Sequence, residues 1–468
     1  MSTSSHNSAS ADKDKTATIT SSSNSMQAKD LTRGHIGQQI IRLAAPIVGG
    51  AFIQMAYNFT DMAWLGRLGN KEVAATGVIG VLLWLSFSIS TLTKIGSEVC
   101  VAQGLGSGDE NAARNYASHN TTISFIIGLC VVLGLLFLGP LMVGLYQLEA
   151  DIHAMAVRYL RIVSIGVLPL FLTVTIGGIY NASGRSNIPF KVNAIGLILN
   201  MILDPLLIFV VGWGTEGAAW ATTLSEFVVI ALLLYRLRQK DQLLNCFPLL
   251  TRLQGAKSLR IFKVGFPAAL LNALFVFVSV YMGRLCSLQG SEIGVAVLTA
   301  GGQLEAITWN ASQGFGTALS AFVGQNYAAG KIHRVFKGYR TTLAYTALFG
   351  CIGTILFFFW GQELFALIVP HKPTYVEGGR YLRIAAYSQL FMMLEITAQG
   401  LFYGTGRSFV PATISIVGNY ARIPLAFLFM SWGWGLAAIW WAISATSICK
   451  GLTAIACLPW PKKRLQRY

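Results

Sequence analysis

The sequence predicts an all-α polytopic membrane protein with twelve transmembrane helices, and composition is the first observation behind this prediction. Of its 468 residues, 54% are hydrophobic and only 12% are charged, whereas soluble domains carry roughly 25% charged residues. Apolar stretches of about 20 residues, the length that a helix needs to cross a bilayer, recur along the whole chain. Alternating segments of about ten residues, which are typical of a membrane β-barrel, do not occur.

The second observation is an internal repeat. Three motifs return at an offset of 222 residues: R-Y-L-R-I (158–162 and 380–384), G-R-S (184–186 and 406–408) and V-A-Q-G-L-G-S-G, which becomes V-G-Q-N-Y-A-A-G (101–108 and 323–330). Each repeat holds six predicted spans, so both repeats begin on the same membrane face. The two six-helix lobes are therefore related by a pseudo-two-fold axis along the membrane normal, which is typical of transporters.

The predicted elements follow the apolar stretches in order. The spans are 37–66, 72–101, 118–147, 154–182, 188–211, 215–237, 259–288, 293–326, 336–366, 376–404, 408–430 and 434–459. Five segments result: a disordered polar tail (1–32), an N-lobe (33–238), a cytoplasmic linker (239–258), a C-lobe (259–460) and a basic cytoplasmic tail (461–468).

Charge predicts the orientation. Lys and Arg concentrate in the connections on the side that carries both termini, and this bias marks the cytoplasmic face. The net charge of +16 is then explained by cytoplasmic loops rather than by a nucleic-acid partner. The bilayer is the expected environment, and both termini are predicted to be cytoplasmic.

The sequence carries no recognisable catalytic or nucleotide-binding constellation. A Walker lysine loop, an HExxH motif and a GxSxG motif are all absent, and the seven cysteines show no CxxC pair. A membrane-embedded enzyme would need paired acids or histidines at one face, but the six histidines lie mostly in the tail or in loops. We therefore expect a transporter without a cofactor, driven by an ion gradient.

Polar residues inside apolar spans are the candidate site residues. Asn200 and Asp204 lie one helical turn apart in L-I-L-N-M-I-L-D-P, so they share one helix face. A carboxylate at membrane depth costs about 2.5 kcal/mol or several times more, which favours an ion-handling role. Asp61, about two turns inside the outer end of the first span, is the second such acid. Thr222 and Thr223 in the sixth span offer hydroxyl oxygens nearby.

Further charged residues lie inside other spans. Lys94 and Glu98 in the second span are spaced i, i+4, so they are predicted either to satisfy each other as an ion pair or to form a gating pair. Glu305 in the eighth span and Glu395 in the tenth are acids without a predicted partner, and each could bind a cationic substrate or a coupling proton.

In this order along the chain, these features resemble the multidrug and toxic compound extrusion (MATE) family, in its DinF-like branch. The resemblance covers roughly residues 33 to 460. The motifs that carry it are Y-N-F-T-D-M-A-W-L-G-R-L-G (57–69), V-A-Q-G-L-G-S-G-D (101–109), N-M-I-L-D-P-L-L-I-F (200–209) and V-G-Q-N-Y-A-A-G (323–330).

The resemblance implies a V-shaped pair of lobes and antiport of organic cations or amphipathic compounds against H⁺ or Na⁺. It places a cation site on Asp61, Asn200, Asp204 and Thr222, with Thr223 as the fallback, and no metal beyond Na⁺ is expected there. Some members use a seventh-helix acid instead, where this chain offers only Asn272. A monomer in the bacterial cytoplasmic (inner) membrane is the corresponding expectation.

One alternative within transport stays open. The wider superfamily includes flippases and exporters of lipid-linked or endogenous metabolites. A lipid-linked sugar flippase would be expected to have fourteen spans and cationic residues in its cavity, whereas this chain offers twelve spans and intramembrane acids. The physiological substrate and the choice between H⁺ and Na⁺ do not follow from the sequence.

Overall fold

The structure, a computed structural model, describes residues 29–240, 244 and 246–458. Its helices in chain order are α1 (Ile36–Leu68), α2 (Asn70–Gly106), α3 (Glu110–Gly144), α4 (Ala150–Ala182), α5 (Asn187–Pro205), α6 (Gly214–Tyr235), α7 (Gly255–Gly290), α8 (291–328), α9 (Ile332–Ile368), α10 (Lys372–Gly404), α11 (Phe409–Ser431) and α12 (Leu436–Ala456). Short π-helical turns extend α5 (Leu206–Val210) and α6 (Arg236–Lys240). The predicted all-α, twelve-helix fold is confirmed.

Most of these helices can cross a bilayer by length and composition. Among the described residues, ten helices are apolar enough to do so. The two that fall below that level are α8 and α10, which carry Glu305 and Glu395. Their polar content agrees with helices that face a protein interior rather than lipid.

Helices α7 and α8 differ from the predicted pair of separate spans. Helical hydrogen bonding continues through the whole stretch Gly255–Ala328. Eight residues of straight α-helix would span about 12 Å, yet a Cβ built on Gly294 would lie 2.5 Å from the carbonyl oxygen of Cys286. The chain therefore reverses direction near residue 290, and α7 and α8 run antiparallel.

The glycines of the repeated motifs are required by the turns that they form. Gly108 and Gly330 have φ values of 76° and 71°, and Gly184 and Gly406 have 74° and 76°. Side chains other than glycine rarely adopt this left-handed region. The same backbone geometry thus recurs in both halves, which explains why these positions repeat in the sequence.

Each lobe has its own apolar core. In the N-lobe, Leu65 of α1 packs with Leu160 and Phe171 of α4. In the C-lobe, Tyr381 of α10 and Trp440 of α12 meet edge to face, with ring centroids 4.8 Å apart. Each lobe therefore has an apolar cluster made of its own residues only.

Helix α1 belongs to both lobes. Its outer half contributes Leu65 to the N-lobe core. Its first turns, by contrast, pack Ile36 and Ile40 against Phe322 of α8 and Phe402 of α10 in the C-lobe. A change in the position of α1 would therefore alter the packing of both lobes.

Residues 29–32 differ from the predicted disordered tail. The Leu31 backbone N–H donates to Gln325 Oε1 over 2.9 Å, and Asn326 Nδ2 donates to the Leu31 carbonyl over 3.1 Å. The apolar Leu31 side chain is buried against the C-lobe, so this segment packs although its neighbours are polar. The remainder of that predicted tail, part of the linker and the basic C-terminal tail lie outside the described residues.

The two lobes meet at the end of the bundle from which α1 starts, called here the terminal side. There, Lys331 Nζ donates to the Thr32 carbonyl over 2.9 Å and Arg334 Nη1 to the Gly34 carbonyl over 3.0 Å. A Cβ on Gly106 would lie 2.1 Å from the Gln325 carbonyl oxygen. The ends of α2 and α8 are thus in backbone contact, and the terminal side is closed.

Candidate functional site

Three helices of the N-lobe bring the predicted cation-binding residues together. Asp61 lies on α1, Asn200 and Asp204 on α5, and Thr222 on α6. In the amide orientation that satisfies both neighbours, Asn200 Nδ2 donates to Asp204 Oδ2 over 2.8 Å and its Oδ1 accepts from the Thr222 backbone N–H over 3.0 Å. The amide also lies 3.3 Å from Thr222 Oγ1, and the Asp61 charge acts on Asp204 from α1. This group is called the N-lobe site below.

The two faces of α5 explain why this polar pair is buried. Asp204 is fully buried, whereas Ile202, two residues earlier, exposes 60% of its surface. Glycine permits the close packing: a Cβ on Gly217 of α6 would lie 2.6 Å from the Leu207 carbonyl oxygen. Apolar side chains therefore cover the outside of the helix while the polar face meets α6.

Thr222 and Thr223 have different environments. Thr223 Oγ1 donates to the Ile162 carbonyl of α4 over 3.1 Å, so this hydroxyl faces away from the N-lobe site. Thr222 Oγ1 instead lies 3.3 Å from the hydroxyl of Tyr57 on α1. Of the two threonines, the structure brings only Thr222 to the site.

Tyr57 is a site residue that was not among those predicted from the sequence. Its hydroxyl reaches Thr222 from α1, and it lies one helical turn before Asp61. That i, i+4 spacing places both side chains on one helix face, so the spacing could have indicated it. Tyr57 and Asp61 together bring α1 to the α5–α6 pair.

Two carboxylate oxygens at the N-lobe site lack hydrogen-bond donors. Asp61 Oδ1 and Asp204 Oδ1 are buried and accept no hydrogen bond from the described residues. Buried polar atoms are otherwise almost always paired, and two such acids favour uptake of positive charge. Carboxylate, amide and hydroxyl oxygens are hard ligands suited to a proton or to a hard cation such as Na⁺.

The predicted ion pair between Lys94 and Glu98 is not formed. Glu98 Oε1 instead accepts from Asn181 Nδ2 of α4 over 3.2 Å, and no Lys94–Glu98 contact within ion-pair distance occurs in the described part of the chain. The i, i+4 spacing is present, but Glu98 is fully buried against α4 whereas Lys94 is partly exposed. The tertiary packing of α2 overrides the local pairing.

Glu305 and Glu395 have separate partners in the C-lobe. Glu305 accepts from the Tyr381 hydroxyl over 3.0 Å and from Gln389 Nε2 over 3.2 Å. Glu395 forms an ion pair of 3.1 Å with Lys450 of α12. The structure thus places these two acids in different hydrogen-bonded groups rather than in one site.

The ammonium of Lys450 lies at the C-lobe counterpart of the Asn200 position. Asn419 in N-Y-A-R-I-P corresponds to Asn200 in N-M-I-L-D-P. Lys450 Nζ donates to Asn419 Oδ1 over 3.0 Å while it pairs with Glu395. The side-chain ammonium of Lys450 therefore contacts the C-lobe counterpart of Asn200. Lys450 is not marked by any local sequence pattern, because its partners lie on other helices.

Comparison with known proteins agrees with this architecture. The MatE family model matches residues 46–206 and 267–428, once in each lobe. The chain is 25% identical to "Probable multidrug resistance protein NorM" of Thermotoga maritima over 86% of this chain and 88% of that one. It is 26% identical to "Probable multidrug resistance protein YpnP" of Bacillus subtilis over 87% and 91%.

Among solved structures, the fold is similar to that titled "Outward-facing conformation of a multidrug resistance MATE family transporter of the MOP superfamily". The TM-score is 0.86 at 21% identity, covering 94% of this chain and 98% of that chain. The DinF-like branch remains a prediction. Since the family model covers more than half of the sequence, once in each lobe, the chain belongs to the MatE family of multi-pass membrane transporters and is not an enzyme.

Proposed function

We propose that the protein is a multidrug efflux transporter that exchanges H⁺ or Na⁺ for organic cations and other amphipathic compounds. The names of its relatives, two of them multidrug resistance proteins, support the substrate class. The observation that carries the ion coupling is the N-lobe site, where Asp61 Oδ1 and Asp204 Oδ1 are buried without a donor from the described part of the chain.

The two carboxylate oxygens of Asp204 have different environments. Oδ2 is held by the Asn200 amide at 2.8 Å, which orients the carboxylate. Oδ1 has no partner among the described residues, so it is the oxygen free to take the ion. Thr222 and Tyr57 supply two further oxygens 3.3 Å from each other.

Helix α1 connects ion binding to the arrangement of the lobes. It carries Asp61 and Tyr57 into the N-lobe site, while its first turns pack against the C-lobe. An ion that draws Asp61 toward Asp204 therefore acts on a helix shared by both lobes. Coupling requires only that the ion bind one of the two lobe arrangements more tightly, and alternating access would follow.

The charge distribution supports cytoplasmic termini, and a monomer in the bacterial inner membrane is part of this proposal. The closed terminal side would then face the cytoplasm. Substrate would leave from the opposite side, as export requires.

Transport into vesicles tests this proposal. Purified protein is reconstituted, and ethidium uptake is followed under separately imposed Na⁺ and H⁺ gradients. We expect uptake driven by one ion in the wild type and its loss in Asp61→Asn and Asp204→Asn. The matched control is Asp151→Asn, which alters an exposed acid in the first turn of α4. Ion-driven uptake at the wild-type rate in both N-lobe variants would contradict the coupling site.

A second candidate function is export of an endogenous or lipid-linked metabolite with an anionic group. Arg422 of α11 favours it, because this guanidinium forms no ion pair among the described residues and instead lies over the Phe275 ring, 5.7 Å from its centre. Among the described residues this guanidinium bonds only the hydroxyls of Thr446 and Ser447, at 3.3 and 3.4 Å. Inhibition of ethidium uptake by an anionic amphiphile, lost in Arg422→Gln, would support this candidate.

A further inference from the structure

Glu98 is a buried acid that the N-lobe site does not use. It lies on α2, eight residues before the helix ends at Gly106, which places it about 12 Å from that end. Its side chain has no exposed surface. Asp61, by contrast, lies seven residues from the opposite end of α1, so the two acids are at different depths.

The Glu98–Asn181 pair has one hydrogen-bond donor too few for its acceptor atoms. Asn181 Nδ2 donates to Glu98 Oε1 over 3.2 Å. Glu98 Oε2 and Asn181 Oδ1 are both buried and neither has a partner among the described residues. Both unpaired atoms are acceptors when Glu98 is ionised. A proton on Oε2 supplies the missing donor, because a neutral carboxyl and a carboxamide can donate to each other.

Few charges face this carboxyl from the helices packed against α2. On α2 itself, Lys94 is the group whose charge acts on Glu98, and it forms no ion pair with it. The polar and titratable groups on the neighbouring helices are Asn120 of α3, Asn181 of α4, Arg260 of α7 and Tyr403 of α10. Arg260 is held by Gln103 Oε1 at 2.6 Å, and Tyr403 packs against Ile95 and Val99. A negative charge on Glu98 would therefore be poorly compensated in this arrangement of the lobes.

The Glu98–Asn181 pair lies directly beside the closed terminal side. The residue after Asn181 is Ala182, whose carbonyl accepts from Gln325 Nε2 of the C-lobe over 2.7 Å. On the facing turn, a Cβ on Gly178 would lie 3.5 Å from Glu98 Cγ, so α2 and α4 are in close contact here. Loss of the Gln325 contact on opening of the terminal side would expose this pair to water.

Buried hydroxyls lie between this pair and the opposite membrane face. Along α2 they occupy one face at successive turns: Ser86, Ser90, Thr93 and Ser97. Thr175 of α4 donates to Thr93 Oγ1 over 2.9 Å and lies 2.8 Å from Ser124 Oγ of α3. Most of these hydroxyls also bond their own backbone, which alone would be ordinary helix packing. Among them, Thr93, Thr175 and Ser124 are joined by hydrogen bonds, and a proton that enters from the opposite face would have to cross this stretch to reach Glu98.

We propose that Glu98 is a second proton-binding carboxyl of the N-lobe, neutral while the terminal side is closed and ionised when that side opens. On opening, the Oε2–H bond breaks, the proton passes to water on the terminal side, and the bonding electrons stay on the carboxylate. The carboxylate regains a proton from the opposite side once the terminal side has closed. This inference rests on the proposed antiport.

The test compares driven accumulation with passive exchange in reconstituted vesicles. Ethidium accumulation is measured under an imposed proton gradient, and ethidium exchange is measured without one. Glu98→Gln places an amide that cannot ionise in the same volume. A proton gradient of one pH unit can support about a tenfold concentration gradient of substrate for each proton exchanged, because the two gradients correspond to the same free energy. The control is Glu110→Gln at an exposed acid in the first turn of α3.

We expect Glu98→Gln to exchange ethidium at the wild-type rate but to lose at least about tenfold of its accumulation per pH unit. Glu98→Asp, which keeps a carboxyl, should restore part of the accumulation. Equal accumulation in Glu98→Gln and wild type, or equal losses of exchange and accumulation, would overturn the inference. If Glu98→Gln does not fold, the Glu98→Asp variant provides the test. Complete loss of ethidium accumulation in Glu98→Asp, with ethidium exchange intact, would count against the proposal. A wild type that neither exchanges nor accumulates ethidium would instead contradict the proposed function.

Discussion

Gln103 and Gln325 join the two lobes by reciprocal hydrogen bonds. Gln103 Nε2 donates to the Gly404 carbonyl of the C-lobe over 3.0 Å. Gln325 Nε2 donates to the Ala182 carbonyl of the N-lobe over 2.7 Å. Both the two donors and the two acceptors are separated by 222 residues, the offset of the internal repeat. The closure of the terminal side therefore follows the pseudo-two-fold symmetry of the protein.

Removal of one of these glutamines should favour opening of the terminal side. Gln325→Ala also loses the bond from the Leu31 backbone N–H, and Gln103→Ala also loses the bond from Arg260 Nη2 of α7, so we expect effects of similar size. Two hydrogen bonds of about 1 kcal/mol each correspond to roughly a tenfold or greater shift in the open fraction. The measurement is maleimide labelling of Cys100, which is 1% exposed on α2, in a variant without the other cysteines.

The control for this labelling experiment is Gln147→Ala, which alters an exposed glutamine in the α3–α4 connection. It should leave the labelling rate unchanged. An unchanged rate in Gln325→Ala would show that these bonds do not limit opening.

The two adjacent threonines of α6 should respond differently to substitution by valine. Thr222→Val removes an oxygen next to Asn200 and Tyr57, and we expect the ion concentration for half-maximal exchange to rise by roughly threefold to tenfold. Thr223→Val removes only the bond to the Ile162 carbonyl, so it should change stability by about 1 kcal/mol and leave ion dependence intact. Ion titration of ethidium exchange measures the difference.

The Tyr57 hydroxyl should matter through the same contact. Tyr57→Phe removes the hydroxyl that lies 3.3 Å from Thr222 Oγ1 and leaves the ring in place. A neutral hydrogen bond contributes about 1 kcal/mol, so the apparent ion affinity should fall by about fivefold. A combined Tyr57→Phe, Thr222→Val variant should show less than the product of the two single effects, because the residues share one contact. If the effect of the double variant on apparent ion affinity equals the product of the two single effects, the residues do not act through a shared contact.

The ion pair of the C-lobe should be a stability element. Lys450→Met leaves Glu395 buried without its ammonium partner, and breaking a buried pair in this way costs about 3–5 kcal/mol. The double variant Lys450→Met, Glu395→Gln removes both charges and should recover most of that loss. Thermal unfolding in detergent measures both, and equal destabilisation by the single and double variants would contradict this account.

The sequence was informative where a property belongs to one helix. The apolar stretches predicted twelve helices because hydrophobic length is a local property. Asn200 and Asp204 were found because a polar pair in an apolar helix is costly wherever that helix packs. Gly184 and Gly406 repeated because one backbone conformation demands glycine in both halves.

The sequence was uninformative where a contact joins distant segments. Tyr57 reaches Thr222 across 165 positions, and Lys450 reaches Asn419 from another helix. The i, i+4 spacing of Tyr57 and Asp61 shows a shared face of α1, but no local pattern identifies a partner on another helix, because a tyrosine or lysine near a helix surface has many alternative environments. The reversal at residue 290 was predicted as a break between helices, although helical hydrogen bonding continues through it.

Lys94 and Glu98 show what the sequence determines and what the tertiary structure decides. The sequence by itself determined that two opposite charges lie one turn apart inside a membrane helix. Only the tertiary structure decided that Glu98 bonds Asn181 instead. The reason is physical: spacing fixes which side chains share a face of α2, whereas the close approach of α4 at Gly178 decides which of them is buried and what it meets there.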